Sequence, residues 1–238
     1  MEDTALMVRR ALKMGAVATE EALTLVAKGG GDTAVEKIVQ GMTPGELMTV
    51  VGDFDMTKPS MVSHHMTTAQ FLDVVDRIGL FLSPIEDRDY FRLDKIQSRI
   101  ESILIPSLAM GRDVFYQDRL EALLNHEGSA SLLALLSIDQ QDYEDFIKDP
   151  QKATAWNGTW QEIFAEVAYS FPNKYEIIVK VVDAINEESP SSIEYDEEEF
   201  DPRMDRVIQI INSLVYKAKD LMVKEKPEKR EALVFVDL

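Results

Sequence analysis

Apolar residues recur every three or four positions in one segment after another of this chain. Between Gln70 and Leu82 the apolar side chains include Phe71, Leu72, Val74, Val75, Ile78, Phe81 and Leu82. This spacing matches the period of an α-helix and gives each helix a wide apolar face. The pattern predicts an all-α protein: a multi-helix bundle of about ten helices, with a C-terminal helix and a short apolar tail.

Several predicted helices begin with a Ser or Thr that is followed three residues later by Glu or Gln. In this capping box the hydroxyl accepts a hydrogen bond from the third amide, and the Glu or Gln reaches back to the amide of the cap. The pairs are Thr43/Glu46, Thr67/Gln70, Ser83/Glu86 and Thr159/Glu162. The first helix is predicted over residues 4–28, and the glycine triplet at 29–31 is expected to end it.

The segment Tyr175–Ile185 is rich in β-branched residues, which would also suit a buried strand. Its apolar pairs at 177/178 and 181/182 are followed by Ile185, so they repeat every three or four residues. A helix is therefore favoured over a strand.

The composition limits the functions that the chain can perform. With 25 basic and 43 acidic residues its net charge is −18, and it has no cysteine. Disulfides and thiolate chemistry are excluded, and direct binding to nucleic acid is disfavoured by repulsion. The sequence has no apolar run near the ~20 residues of a membrane span, and no signal peptide at its amino terminus. We expect a cytoplasmic protein without membrane contact.

The fifteen residues Glu187–Asp201 carry eight acidic groups and no basic one. Such runs are usually solvated linkers. The run predicts a division into a helical body at 1–187, an acidic linker at 188–201, and a C-terminal amphipathic helix with a docking tail at 202–238. The acids expected to bind a basic partner are Asp196, Glu197, Glu198 and Glu199.

The predicted terminal helix has apolar residues in steps of three and four, the heptad spacing of a helix that packs along another helix. They are Met204, Val207, Ile211, Leu214, Ala218 and Leu221. The stripe covers fewer than three heptads, too few to distinguish a partner's helix from the chain's own body. Both alternatives remain open at this point.

A charged segment from Lys224 to Glu231 precedes an apolar tip. Its residues Leu233, Phe235 and Leu238 would suit a partner's groove or sheet edge. The alternative is that the tip folds back on its own core.

Catalytic patterns are sparse. The adjacent His64 and His65, together with Asp53 and Asp55, could form an oxygen and nitrogen metal site. No His-x-x-x-His pair is present, and no Gly-x-Ser-x-Gly nucleophile motif accompanies the histidines.

These observations predict a non-enzymatic protein–protein interaction protein: an adaptor, a structural component in complex assembly, or a regulator. It would act through its C-terminal helix and tail, without cofactor or metal. Its partners would be other protein subunits, including basic proteins, or further copies in a homo-oligomer. One alternative is an acidic nucleic-acid mimic that occupies a basic DNA- or RNA-binding protein. The other is a metal-dependent hydrolase that uses Asp53, Asp55, His64 and His65.

Overall fold

The computed structural model describes residues 2–53, 60–82, 93–109, 116–138, 160–187 and 203–224. These ranges contain twelve α-helices and no strand, and 89% of their residues are helical, which confirms the all-α prediction. No helix among them is long and apolar enough to cross a bilayer. The elements are α1 (Glu2–Leu12), α2 (Ala16–Gly30), α3 (Asp32–Gln40), α4 (Pro44–Asp53), α5 (Met61–His65), α6 (Thr68–Asp76), the 3-10 helix η1 (Ile78–Phe81), α7 (Leu93–Ala109), α8 (Tyr116–Asn125), α9 (Ser129–Ser137), α10 (Trp160–Ser170), α11 (Pro172–Glu187) and α12 (Arg203–Lys224).

Two of the predicted capping boxes are confirmed. Before α4, the amide of Thr43 donates to Glu46 Oε2 at 2.8 Å, and the amide of Glu46 donates back to the Thr43 hydroxyl at 3.3 Å. Thr67 and Gln70 make the same reciprocal pair before α6. The pairs Ser83/Glu86 and Thr159/Glu162 include residues outside the described ranges.

The prediction of one continuous helix over residues 4–28 is wrong. Helix α1 ends at Leu12 and α2 begins at Ala16, with Gly15 between them at φ 109° and ψ −176°. That backbone conformation is essentially restricted to glycine. The chain reverses there, and α1 packs back against α2. The expected end is confirmed, because α2 stops at Gly30.

The β-branched segment from Tyr175 to Ile185 lies within α11, so the preference for a helix is confirmed. Ile178 and Ile185 are buried in the core, whereas Ile177 is 47% exposed. The helical spacing of the apolar residues thus outweighs the strand preference of the β-branched residues, because one face of the helix packs on the core.

A buried arginine ties the middle of the bundle together. Arg119 of α8 is fully buried, and its guanidinium donates to the carbonyls of Ser63, Met66 and Ser107. These carbonyls belong to α5, the turn before α6, and α7, so one side chain joins three segments. Burial lowers the pKa of Arg119 to about 10, which leaves the group charged at neutral pH.

Candidate protein-binding surfaces

The terminal helix α12 lies with one face against the rest of the chain. Val207, Ile211, Val215 and Ala218 on that face are at most 1% exposed. The helix packs chiefly on η1 and also contacts α6, α9 and α11. This face of α12 is therefore part of the chain's own core.

A close backbone approach fixes where α12 sits on η1. A Cβ atom placed on Gly79 would lie 2.2 Å from the carbonyl oxygen of Leu214 and 2.8 Å from the amide nitrogen of Val215. Real Cβ contacts are essentially never that short. Only glycine at this position lets the two backbones meet as they do.

Polar contacts hold the same helix from the side. Asp76 Oδ1, at the end of α6, lies 2.7 Å from His126 Nε2 and 2.7 Å from Lys217 Nζ of α12. Burial raises the pKa of Asp76, but the hydrogen bonds and charges of His126 and Lys217 outweigh it, and the net pKa is lowered. The carboxylate is thus stabilised in its charged form. It borders a cleft of about 390 Å³ between α12 and the α8–α9 turn.

The positions of the heptad stripe divide between core and surface. In this conformation Val207, Ile211 and Ala218 contact the chain's own body, which is one of the two alternatives that the heptad spacing leaves open. The physical reason is the fit of α12 on η1. The other three positions, Met204, Leu214 and Leu221, are half-buried.

The remaining residues predicted to bind a partner lie outside the part of the chain that the structure describes. They are Asp196, Glu197, Glu198, Glu199, Leu233, Phe235 and Leu238. Their roles stay predictions. So does the nucleic-acid mimic, which the net charge of −18 motivates.

The reversal at Gly15 produces a surface groove between α1 and α2. The groove has a volume of about 680 Å³. Three of its apolar side chains are well exposed: Leu6 at 48%, Met14 at 79% and Leu25 at 59%. Its other apolar lining residues are Met7, Ala11, Ala18 and Ala22. The groove is not predictable from the apolar spacing, because that spacing predicts one helix through Gly15.

The α1 helix carries exposed basic side chains near the groove. Arg9, Arg10 and Lys13 are exposed within five residues that contain no acid, and Arg10 itself lines the groove together with Glu21. In a chain with a net charge of −18, such a cluster is unusual. Through Arg10 this cluster places a cation on the α1 side of the groove that attracts acidic groups, while Glu21 lines the α2 side.

The histidine pair does not form a metal centre with its described neighbours. His64 and His65 end α5, with ring centroids 4.7 Å apart and planes at 86°. Burial, and then the neighbouring His64, lowers the pKa of His65, against the opposite effect of Asp32 and Glu36. Within the described residues no group of three or more His, Cys, Asp or Glu is placed to hold a metal ion. Asp53 ends α4 and is exposed, while Asp55 falls in the gap at 54–59.

Comparisons with known proteins provide no relative from which a role could be transferred. The chain matches no protein-family model, no curated protein and no solved structure. Its function therefore has to be inferred from its own surfaces.

Proposed function

We propose that this chain is a non-enzymatic protein–protein interaction protein, an adaptor, assembly component or regulator, that binds through the groove between α1 and α2. One observation carries the proposal: Leu6, Met14 and Leu25 remain exposed around a concave apolar surface. Contact between water and such a surface is unfavourable, so burying it under a partner's apolar side chains lowers the free energy.

The groove suits a segment with apolar anchors and flanking acids. Its apolar lining would receive the anchors, and Met7 and Met14 would adapt to their shape because methionine side chains are flexible and polarisable. Arg10 and its basic neighbours would favour acids beside the anchors and speed their approach. The expected partner segment is therefore amphipathic and acidic.

The C-terminal segment keeps a part in this proposal. Because the inner face of α12 is occupied, its contribution would come from the tip residues Leu233, Phe235 and Leu238, which the sequence predicts as docking residues. The acids Asp196–Glu199 would serve as a second contact for basic proteins. We expect the protein to act in the cytoplasm, in keeping with its acidic, cysteine-free composition.

Affinity capture with matched variants tests the groove. Leu25→Glu places a charge in the groove, and Val17→Glu places the same charge on the same helix at a residue that does not line it. Both parent side chains are 59% exposed, so neither change should unfold α2. We expect a protein that wild type and Val17→Glu recover and Leu25→Glu loses.

The captured protein is then purified and titrated calorimetrically against wild type, Leu25→Glu and Val17→Glu. Loss of one central apolar contact should weaken its binding by about tenfold or more. If no protein's recovery and affinity depend on Leu25, the groove does not serve as the binding surface and the proposal fails.

A further inference from the structure

We infer that the occupant of the α1–α2 groove is the C-terminal tip, Glu231–Leu238, of a second copy of this chain. The inference rests on the proposed function, because it requires the groove to bind protein. It adds the identity of the partner. It also predicts a head-to-tail mode of self-assembly.

The tip has the chemistry that the groove favours. Its sequence is EALVFVDL, with a central apolar run from Leu233 to Val236 and an acid on either side, Glu231 and Asp237. In an extended bound peptide, Leu233 and Phe235 would point to the same side and could enter the groove together. The two acids would then lie near the basic side chains of α1, which include Arg10.

The placement of the helices favours a second molecule over the same one. In the described structure the principal neighbours of α12 are η1, α6, α9 and α11, whereas those of α1 and α2 are one another and α3, α4 and α5. The two sets share no helix. The fourteen residues after Lys224 reach at most about 46–50 Å when fully extended, which limits any path from the end of α12 back to the groove of the same molecule.

This contact would be heterologous, since a tip on one molecule enters a groove on the next. An open assembly of this kind keeps one free groove at one end and one free tip at the other, unless it closes into a ring. That property can be tested with two complementary variants. Leu25→Glu blocks the groove and leaves the tip intact, and the double change Leu233→Asp with Phe235→Asp blocks the tip and leaves the groove intact.

The experiment is sedimentation velocity of full-length chains across a range of concentrations. We expect wild type and Val17→Glu to assemble with increasing concentration, and each blocked variant to remain a monomer. An equal mixture of the two blocked variants should give a dimer and nothing larger, because only one tip and one groove remain functional. The same mixture would also dimerise if the wild-type tip bound the groove of its own molecule, so the concentration-dependent assembly of wild type is the result that separates the two arrangements.

A labelled peptide of residues 231–238 separates the ways in which the inference can fail. The groove should bind it, with an affinity at least about tenfold weaker for Leu25→Glu than for Val17→Glu. If the peptide binds but the full-length chain stays a monomer, the tip occupies its own groove and the second copy is excluded. If the peptide does not bind to wild type, the tip is not the occupant. The proposed function survives that result if the capture of another protein still depends on Leu25.

Discussion

Gly79 and Leu214 approach each other so closely that a single methyl group does not fit between them. The hypothetical Cβ of Gly79 would lie 2.2 Å from the Leu214 carbonyl oxygen, and both partners in this clash are backbone, which cannot rotate away. The contact joins a four-residue 3-10 helix to the middle of α12. The attachment of the terminal helix thus depends on the absence of a side chain at Gly79.

Gly79→Ala should therefore weaken the packing of α12. Over-packing of a tight contact typically costs about 1–3 kcal/mol, and here the strain falls on the boundary between α12 and the body. Urea unfolding should show the loss, and hydrogen exchange should show it first in the amides of α12. Gly45→Ala is the matched control, since a Cβ there meets no atom within 4 Å and alanine suits the helix. Equal unfolding midpoints for the two variants would exclude the proposed role of Gly79.

Asp76→Asn should weaken the same attachment through charge. The carboxylate accepts from His126 and Lys217 at 2.7 Å each, and exchanging it for an amide removes about 1–2 kcal/mol from the free energy of unfolding. Urea titrations of both proteins measure this difference. Asp220→Asn is the control, because Asp220 and Lys224 are exposed and 3.8 Å apart, and it should change stability little.

The effect of Asp76 should depend on pH in a definite direction. Its pKa in the folded chain is lowered from the ordinary 3.8, so the folded state binds the proton less readily than the unfolded state. The stabilisation is then complete above pH 3.8 and is lost as the pH falls through the lower folded pKa. The stability difference between wild type and Asp76→Asn should shrink over that acidic range. A difference that persists at the most acidic pH would show that the charge is not its source.

The sequence predicts the fold class well because helix formation here is governed by local patterns. The capping pairs at Thr43 and Thr67 are three residues apart, and the periodicity within α11 spans a few turns. Long-range burial is different. Glu20 accepts hydrogen bonds from the Ser60 hydroxyl and the amide of Met61, and burial raises its pKa despite those bonds. The residues around Glu20 in the sequence do not predict that its hydrogen-bond partner, Ser60, lies forty residues away.

The candidate surfaces were predictable only in part. The apolar spacing of α12 is compatible with packing on a partner's helix and with packing on the chain's own body, because each would cover the stripe with apolar side chains. The decisive residue, Gly79, lies in another element. The groove was missed because the apolar pattern continues on both sides of Gly15, and one glycine inside a helical pattern is compatible with an unbroken helix. Helix α1 ends because of the backbone conformation of Gly15, and the presence of a glycine does not by itself predict that conformation.

Gly15→Ala should therefore disturb the groove without touching its lining. A residue with a side chain is strained at φ 109° and ψ −176°, which should cost about 1–3 kcal/mol or drive the turn into another conformation. Thermal unfolding measures the cost, and partner or peptide binding measures the change in the groove. Gly29→Ala provides the comparison, because it lies within α2 and a Cβ there meets no atom within 4 Å. Unchanged stability and binding in Gly15→Ala would mean that the turn does not need glycine.

Arg10→Glu should separate the electrostatic contribution of this side chain from the apolar contribution of the groove. If acids flank the bound segment, reversing this charge slows association several-fold at low salt, and the difference from wild type declines as salt screens it. Stopped-flow fluorescence with the labelled 231–238 peptide measures both effects. Lys28→Glu makes the same change in net charge at an exposed residue that does not line the groove. An equal slowing by both variants would assign the effect to overall charge, whereas slowing by Arg10→Glu alone would place acidic side chains of the ligand beside Arg10.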